Sequence, residues 1–192
     1  MQRLAPIFAS FVSLRFVYID KLSKVEIISG EYTLLDEQAK KTILRKIPHG
    51  LYVCGVKDGE EVNGFTVSWL MQASFKPPLV VNCVKQDSKS HQMIKNSGVF
   101  AISFLDADQK DIAQKFFQPQ RRVGNKFDDI ESYLGETGCP ILTDSLGYIE
   151  CQVVGAVEKG DHTVYVGEVI AAGVHREGDQ LLLESTGWQY GG

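Results

Sequence analysis

Two runs, Gly147–Val157 and Thr163–Val174, are rich in strand-forming residues and flank a tight turn at Glu158–Asp161. A pair like this folds back on itself, so an antiparallel hairpin frames the fold. A second hairpin signal lies upstream. Leu51–Val56 is a short apolar run, Lys57–Asn63 is polar and carries Asp58-Gly59, and Gly64–Leu70 is the returning strand. Leu79–Val84 follows Pro77-Pro78 as a nearly continuous apolar strand, Val99–Leu105 is another, and Gln180–Glu184 is a last short one. The pattern predicts about seven strands.

Helical signals are fewer. Asp36 can cap a helix in which Ala39, Ile43 and Ile47 recur at helical spacing, with Pro48 and Gly50 to stop it. Ser88–Asn96 suits a short helix that Gly98 terminates. Asp106–Phe117 reads as another, with Ile112, Ala113, Phe116 and Phe117 on one side. Gln118–Pro140 is long and loop-rich, and connections of that length are usually functional or carry local structure. Strands follow one another through hairpins and short helices, without regular βαβ alternation. The expected fold is therefore mainly β with inserted helices, an antiparallel barrel in place of a doubly wound sheet.

The 192 residues are 44% hydrophobic, enough for one domain with a full core. Residues 1–30 are set apart as an N-terminal extension and 31–192 as the folded domain. The longest uncharged stretch of that extension, Leu4–Leu14, is far short of the ~18–20 residues that span a bilayer. No membrane partner is expected. A formal net charge of −4 argues against nonspecific binding of nucleic acid, which needs a basic footprint. Cys54, Cys83, Cys139 and Cys151 form no CxxC pair and read as buried free thiols in a reducing, cytoplasmic setting.

Four segments can carry chemistry. Asp87-Ser88-Lys89-Ser90-His91 joins a buried strand to a helix. A helix N-terminus exposes unpaired N–H groups and a partial positive charge, which suits a phosphate. Ser88 and Ser90 add hydroxyls and Lys89 a cation, although the same residues fit ordinary helix capping. In Gly64-Phe65-Thr66-Val67-Ser68-Trp69, small hydroxyl residues alternate with apolar ones. One strand face would present Thr66 and Ser68, to a ligand or to water, while Phe65, Val67 and Trp69 take the other. Gly160-Asp161-His162 is a turn whose histidine can touch a ligand or face solvent. Arg121-Arg122-Val123-Gly124-Asn125-Lys126-Phe127 is a basic cluster that can be a solvated face or a cover for an anionic cofactor. No GxGxxG, P-loop or GxSxG elbow is present, and the four histidines are scattered with no HExxH pair, so metal catalysis is not favoured.

Taken in order, GFTVSWLMQASFKPPLVVNCVKQDSKSHQMIKNSGVFAISFL and GDHTVYVGEVIAAGV resemble the flavin reductase-like family, which has the FMN-binding split β-barrel fold. The resemblance covers about Leu35–Gly192. It implies that Thr66, Val67, Ser68 and Trp69 line the isoalloxazine and ribityl chain. By the same resemblance Cys83, Val84 and Lys85 lie under the flavin, and Ser88, Lys89, Ser90 and His91 bind its phosphate. His162 matches the histidine of the family's GDH turn, near the nicotinamide side, and Lys126 and Phe127 lie in a loop placed to fold over the cofactor. The family often has threonine where His91 stands, and the 1–30 extension has no recognised counterpart. The implied activity is NAD(P)H-dependent flavin reduction, with hydride passing from nicotinamide to flavin N5 in a homodimer. An FMN-carrying electron-transfer protein serving a redox partner, and a non-enzymatic flavin-binding sensor, are the rival readings.

Overall fold

The computed structural model describes residues 35–118 and 120–191, so the expected 1–30 extension lies outside the described residues. A short helix, α1 (Glu37–Leu44), leads to the hairpin β1 (Tyr52–Asp58) and β2 (Glu61–Val67). Their register runs from Tyr52 opposite Val67 to Asp58 opposite Glu61, which puts the expected Asp58-Gly59 at the turn. Next come β3 (Leu70–Ser74), β4 (Leu79–Lys85), α2 (Lys89–Ser97), β5 (Val99–Phe104) and α3 (Lys110–Lys115). The expected loop region carries β6 (Gln120–Arg121), β7 (Lys126–Phe127), β8 (Ile130–Leu134) and β9 (Pro140–Leu142). The long hairpin β10 (Gly147–Glu158) and β11 (His162–Val174) precedes a final turn of helix, α4 (Leu183–Thr186).

Eight strands form one sheet in the order β3-β4-β11-β10-β5-β1-β2-β6, and β7-β8-β9 form a second. The pairings are antiparallel, and bulges after Glu150 and Val153 break the β10–β11 register. Bulges of this kind bend a strand and increase its local twist. This is the expected mainly β architecture with inserted helices.

The alternation of β1 builds two cores at once, because successive side chains point to opposite faces. Cys54 and Val56 join Val80, Val84, Met93, Ile94, Phe100, Ile102 and Tyr165 on one side. Val53 joins Leu51, Leu105, Ala113, Phe116, Phe127, Leu142 and Leu181 on the other. Gly55 faces β9 so closely that a Cβ there would stand 2.0 Å from the Pro140 carbonyl oxygen. No helix among the described residues is long and apolar enough to cross a membrane.

Three expectations change. The helix over Asp106–Phe117 shrinks to Lys110–Lys115, because Asp106 bridges Gln180 and its N–H is taken by the Gln109 side chain. Gln180–Glu184 is not a strand. Gln180 and Leu182 make isolated bridges, and Leu183 starts α4 with its N–H on the His49 carbonyl. The strand count exceeds seven because the loop-rich stretch holds short paired segments of its own.

Gly55→Ala is expected to lower stability by about 1–3 kcal/mol or more, since the obstructing atom is backbone and cannot rotate away. Equilibrium urea unfolding measures it, and an unchanged midpoint would contradict the close β1–β9 packing.

Candidate functional site

A cavity of about 540 Å³ opens where the two cores meet. Val67 and Val84 come to it from one core, Leu51 and Phe116 from the other. Strand geometry brings distant residues together here. The β11–β4 register sets His162 opposite Lys85 and Thr163 opposite Val84. The Trp69 carbonyl accepts from the Cys83 N–H at 3.0 Å, which ties the end of one cavity segment to the other.

Of the residues anticipated from sequence, Thr66, Val67, Ser68, Trp69, Cys83, Val84, Lys85, Ser88, Ser90 and His162 all line this cavity. The expected two-faced split of Phe65–Trp69 does not hold. β2 ends at Val67 and β3 begins only at Leu70, so the alternation is interrupted and residues 65–69 all reach the cavity. Thr66 donates its hydroxyl hydrogen to the Ala113 carbonyl at 2.6 Å, and its N–H bonds the Phe116 carbonyl.

One part of the cavity wall lies at the start of α2. Ser88 is its N-cap, accepting the His91 N–H at 3.1 Å and donating its own hydrogen to the Lys85 carbonyl at 2.7 Å. Gly98 closes the helix in the left-handed conformation, φ 69°. Lys89 and Ser90 stand in the first turn, where N–H groups have no intrahelical carbonyl to bond. The Ser90 hydroxyl is buried at the cavity wall without a protein partner. Lys85 stays charged, because hydrogen bonding and charge from Asp87 raise its ammonium above the usual range. Burial pushes the Cys83 thiol up, which keeps it neutral.

Four anticipated residues point elsewhere. His91 is buried against β11, with Nε2 2.8 Å from Thr163 Oγ1 and its ring 5.6 Å from that of Tyr165. Burial first, and Lys95 second, lower its pKa, so it is held as a neutral imidazole. Lys89 turns outward to pair with Glu61. Lys126 pairs with Glu131, and Phe127 packs edge-on against Phe116 inside the second core.

The structure adds residues that the sequence motifs passed over: Phe117, Leu183, Trp188, Gln189 and Tyr190 also line the cavity. His162 sits in a short relay. Its Nδ1 lies 2.9 Å from Asp161 Oδ1 and its Nε2 2.8 Å from the Tyr190 hydroxyl. The hydrogen bond from His162, then its charge, hold the Asp161 carboxyl below its ordinary range. With Nδ1–H donated to that carboxylate, the ring is held in one orientation and Nε2 is directed at the Tyr190 hydroxyl. Burial raises the Tyr190 phenol, which keeps its proton available for this bond. The Trp69 and His162 rings lie 4.7 Å apart, forming an aromatic shelf at the rim.

Comparison with known proteins places this geometry. The model of the flavin reductase like domain matches residues 44–190. An NADH-dependent FAD reductase of Streptomyces globisporus is 34% identical over 139 residues, covering 71% of this chain and 76% of that protein. An FMN reductase (NADH) of Agrobacterium fabrum is 36% identical over 118 residues, 62% of this chain and 65% of that protein. The solved NADH:FAD oxidoreductase of Streptomyces globisporus, in complex with NAD and FAD fragments, matches with a TM-score of 0.65. It is 32% identical over 73% of this chain and 83% of that one.

The two serines are expected to behave differently without ligand. Ser88→Ala removes a cap and costs about 1 kcal/mol of stability. Ser90→Ala removes a buried hydroxyl that lacks a protein partner, so stability holds or rises. Thermal unfolding of both variants separates them, and an equal loss would mean that Ser90 is engaged within the protein.

Proposed function

The chain belongs to the flavin reductase-like family, and on that premise we propose that its cavity binds FMN and that NADH or NADPH reduces flavin there. The observation that carries the reading is the Ser90 hydroxyl, buried at the cavity's α2 end with no protein partner. A phosphate oxygen supplies the acceptor it lacks, and the first-turn amides of α2 and the nearby Lys85 ammonium supply positive potential. A volume of about 540 Å³ is also within the ~300–1,000 Å³ usual for small-molecule sites.

A bound flavin would supply the electron chemistry, as acceptor of a hydride from the nicotinamide nucleotide. The chain's residues do the positioning. Ser90, the first turn of α2 and Lys85 hold the anionic end. Phe65, Val67 and Val84 present apolar walls that exclude water. Thr66 has its hydroxyl hydrogen committed to Ala113, so it meets a ligand as an acceptor. Asp161 holds the proton on His162 Nδ1 and so fixes the ring that borders the open side. No residue has to act as acid or base for a hydride to move, so the His162–Tyr190 pair has a positioning role in this reading.

FMN is the favoured flavin because the cavity offers one anionic seat at the α2 end. On the same reading the chain works as a cytoplasmic homodimer. Its described cysteines are free, as a reducing compartment allows. Val154, Val157, Ile170 and Val174 expose apolar surface on β10 and β11 that a second copy can cover.

Steady-state oxidation of NADH and NADPH with added FMN tests the activity, and no turnover with either nucleotide would refute it. Titration with FMN and riboflavin tests the seat. Ser90→Ala should weaken FMN about tenfold, the loss of one hydrogen bond to a charged group, and leave riboflavin unaffected. Equal affinities for the two flavins in the unaltered protein would remove the phosphate assignment.

A further inference from the structure

One part of the cavity wall is held by neither sheet nor helix. Trp188, Gln189 and Tyr190 line the cavity, yet residues 188–191 belong to no strand or helix. Side chains hold this segment in place. Arg45, just beyond α1, donates from Nε to the Gly191 carbonyl at 3.1 Å and from Nη1 to Gln189 Oε1 at 2.5 Å. The Trp188 ring lies edge-on to Phe117 at 4.7 Å, with Lys110 Nζ 5.0 Å from its centre. Tyr190 bonds His162 and meets Trp69 at 5.3 Å and 61°, while 47% of its surface stays exposed. The segment starts at Gly187, whose φ of 74° caps α4 and makes a natural hinge. At its far end Gly191 has φ 83°, and a Cβ there would come within 2.9 Å of the Trp69 ring.

We propose that Gly187–Gly191 is a hinged strap whose Tyr190 covers the place where the nicotinamide ring stacks, so that its opening gates entry of the electron donor. The inference rests on reading the cavity as a flavin site. Hydride transfer needs donor and acceptor rings face to face, so two flat rings share the cavity during turnover. The walls carried by β2 and β4 are fixed by strand pairing. The strap is the wall that can yield. Tyr190 covers the Trp69–His162 shelf at the rim with one O–H···N bond and edge-on ring contacts. Together with the Arg45 and Trp188 contacts, that strength leaves an open form populated at roughly 0.1–10%. A ligand that binds only the open form loses affinity by that same fraction.

The gate and a fixed wall give opposite results. With a gate, Tyr190→Ala tightens nucleotide binding by about tenfold or more, because the open form becomes the dominant one. Tyr190→Phe keeps the ring, loses the latch bond and tightens it by about fivefold. NAD⁺, which reads binding without turnover, is titrated into the FMN-loaded protein and followed by tryptophan fluorescence. Unchanged or weaker binding in Tyr190→Ala would make Tyr190 a permanent part of the donor site and overturn the gate. A second readout needs no ligand. Amide hydrogen exchange at residues 188–191 should speed up in Tyr190→Phe and in Arg45→Ala, and equal rates in all three proteins would also overturn it. FMN binding by the unaltered protein is measured first. Its absence would refute the flavin reading, whereas the exchange rates still decide whether the strap opens.

Discussion

Everything near the site follows from β1 being buried on both faces. Its residues Val53, Cys54, Gly55 and Val56 are all shielded from solvent, and they feed different apolar clusters on alternate sides. A strand covered on both sides needs two separate cores, and two cores leave a seam. The cavity lies on that seam, bordered by valines of one core and by Leu51 and Phe116 of the other. The ligand space is thus a by-product of how the sheet is covered.

The seam is finished with unlike materials. At one end stands a helix whose ends are both capped, with Ser88 at the start and Gly98 at the close. Rigid capping points first-turn amides in one direction, which favours a charge of fixed position. Beside it, across the β4–β11 pairing, stand aromatic side chains on loops and on the strap after α4. The rings around Trp69 meet at 45° and 61°, tilted and edge-on contacts with no single required alignment. A rigid charged anchor with a compliant aromatic mouth suits one ligand that stays and another that comes and goes.

Local signals made much of this legible in the sequence. The Asp58-Gly59 turn, the Ser88 and Gly98 caps and the apolar run of β4 each depend on neighbours in the chain. Long-range competition hid the rest. Asp106 fits a helix start by composition, but pairing with Gln180 draws it into a bridge. His91 sits beside the serines in sequence, yet the turn of the helix carries its ring toward Thr163 and away from the cavity. Trp188 takes its place in the cavity from Phe117 and Lys110, and Tyr190 from Trp69 and His162, all remote in sequence. A short segment without periodicity reveals its partners only in three dimensions.

The cysteines carry one more consequence, for durability. Cys54, Cys139 and Cys151 are buried with thiols pushed up, the last two to about 11 and about 12, and Cys83 at the cavity wall shifts the same way. Peroxide attacks thiolates far faster than thiols. Sites that handle reduced flavin in air generate peroxide at close range. Buried thiols that stay protonated are poor targets for that attack and serve as apolar filler in the core.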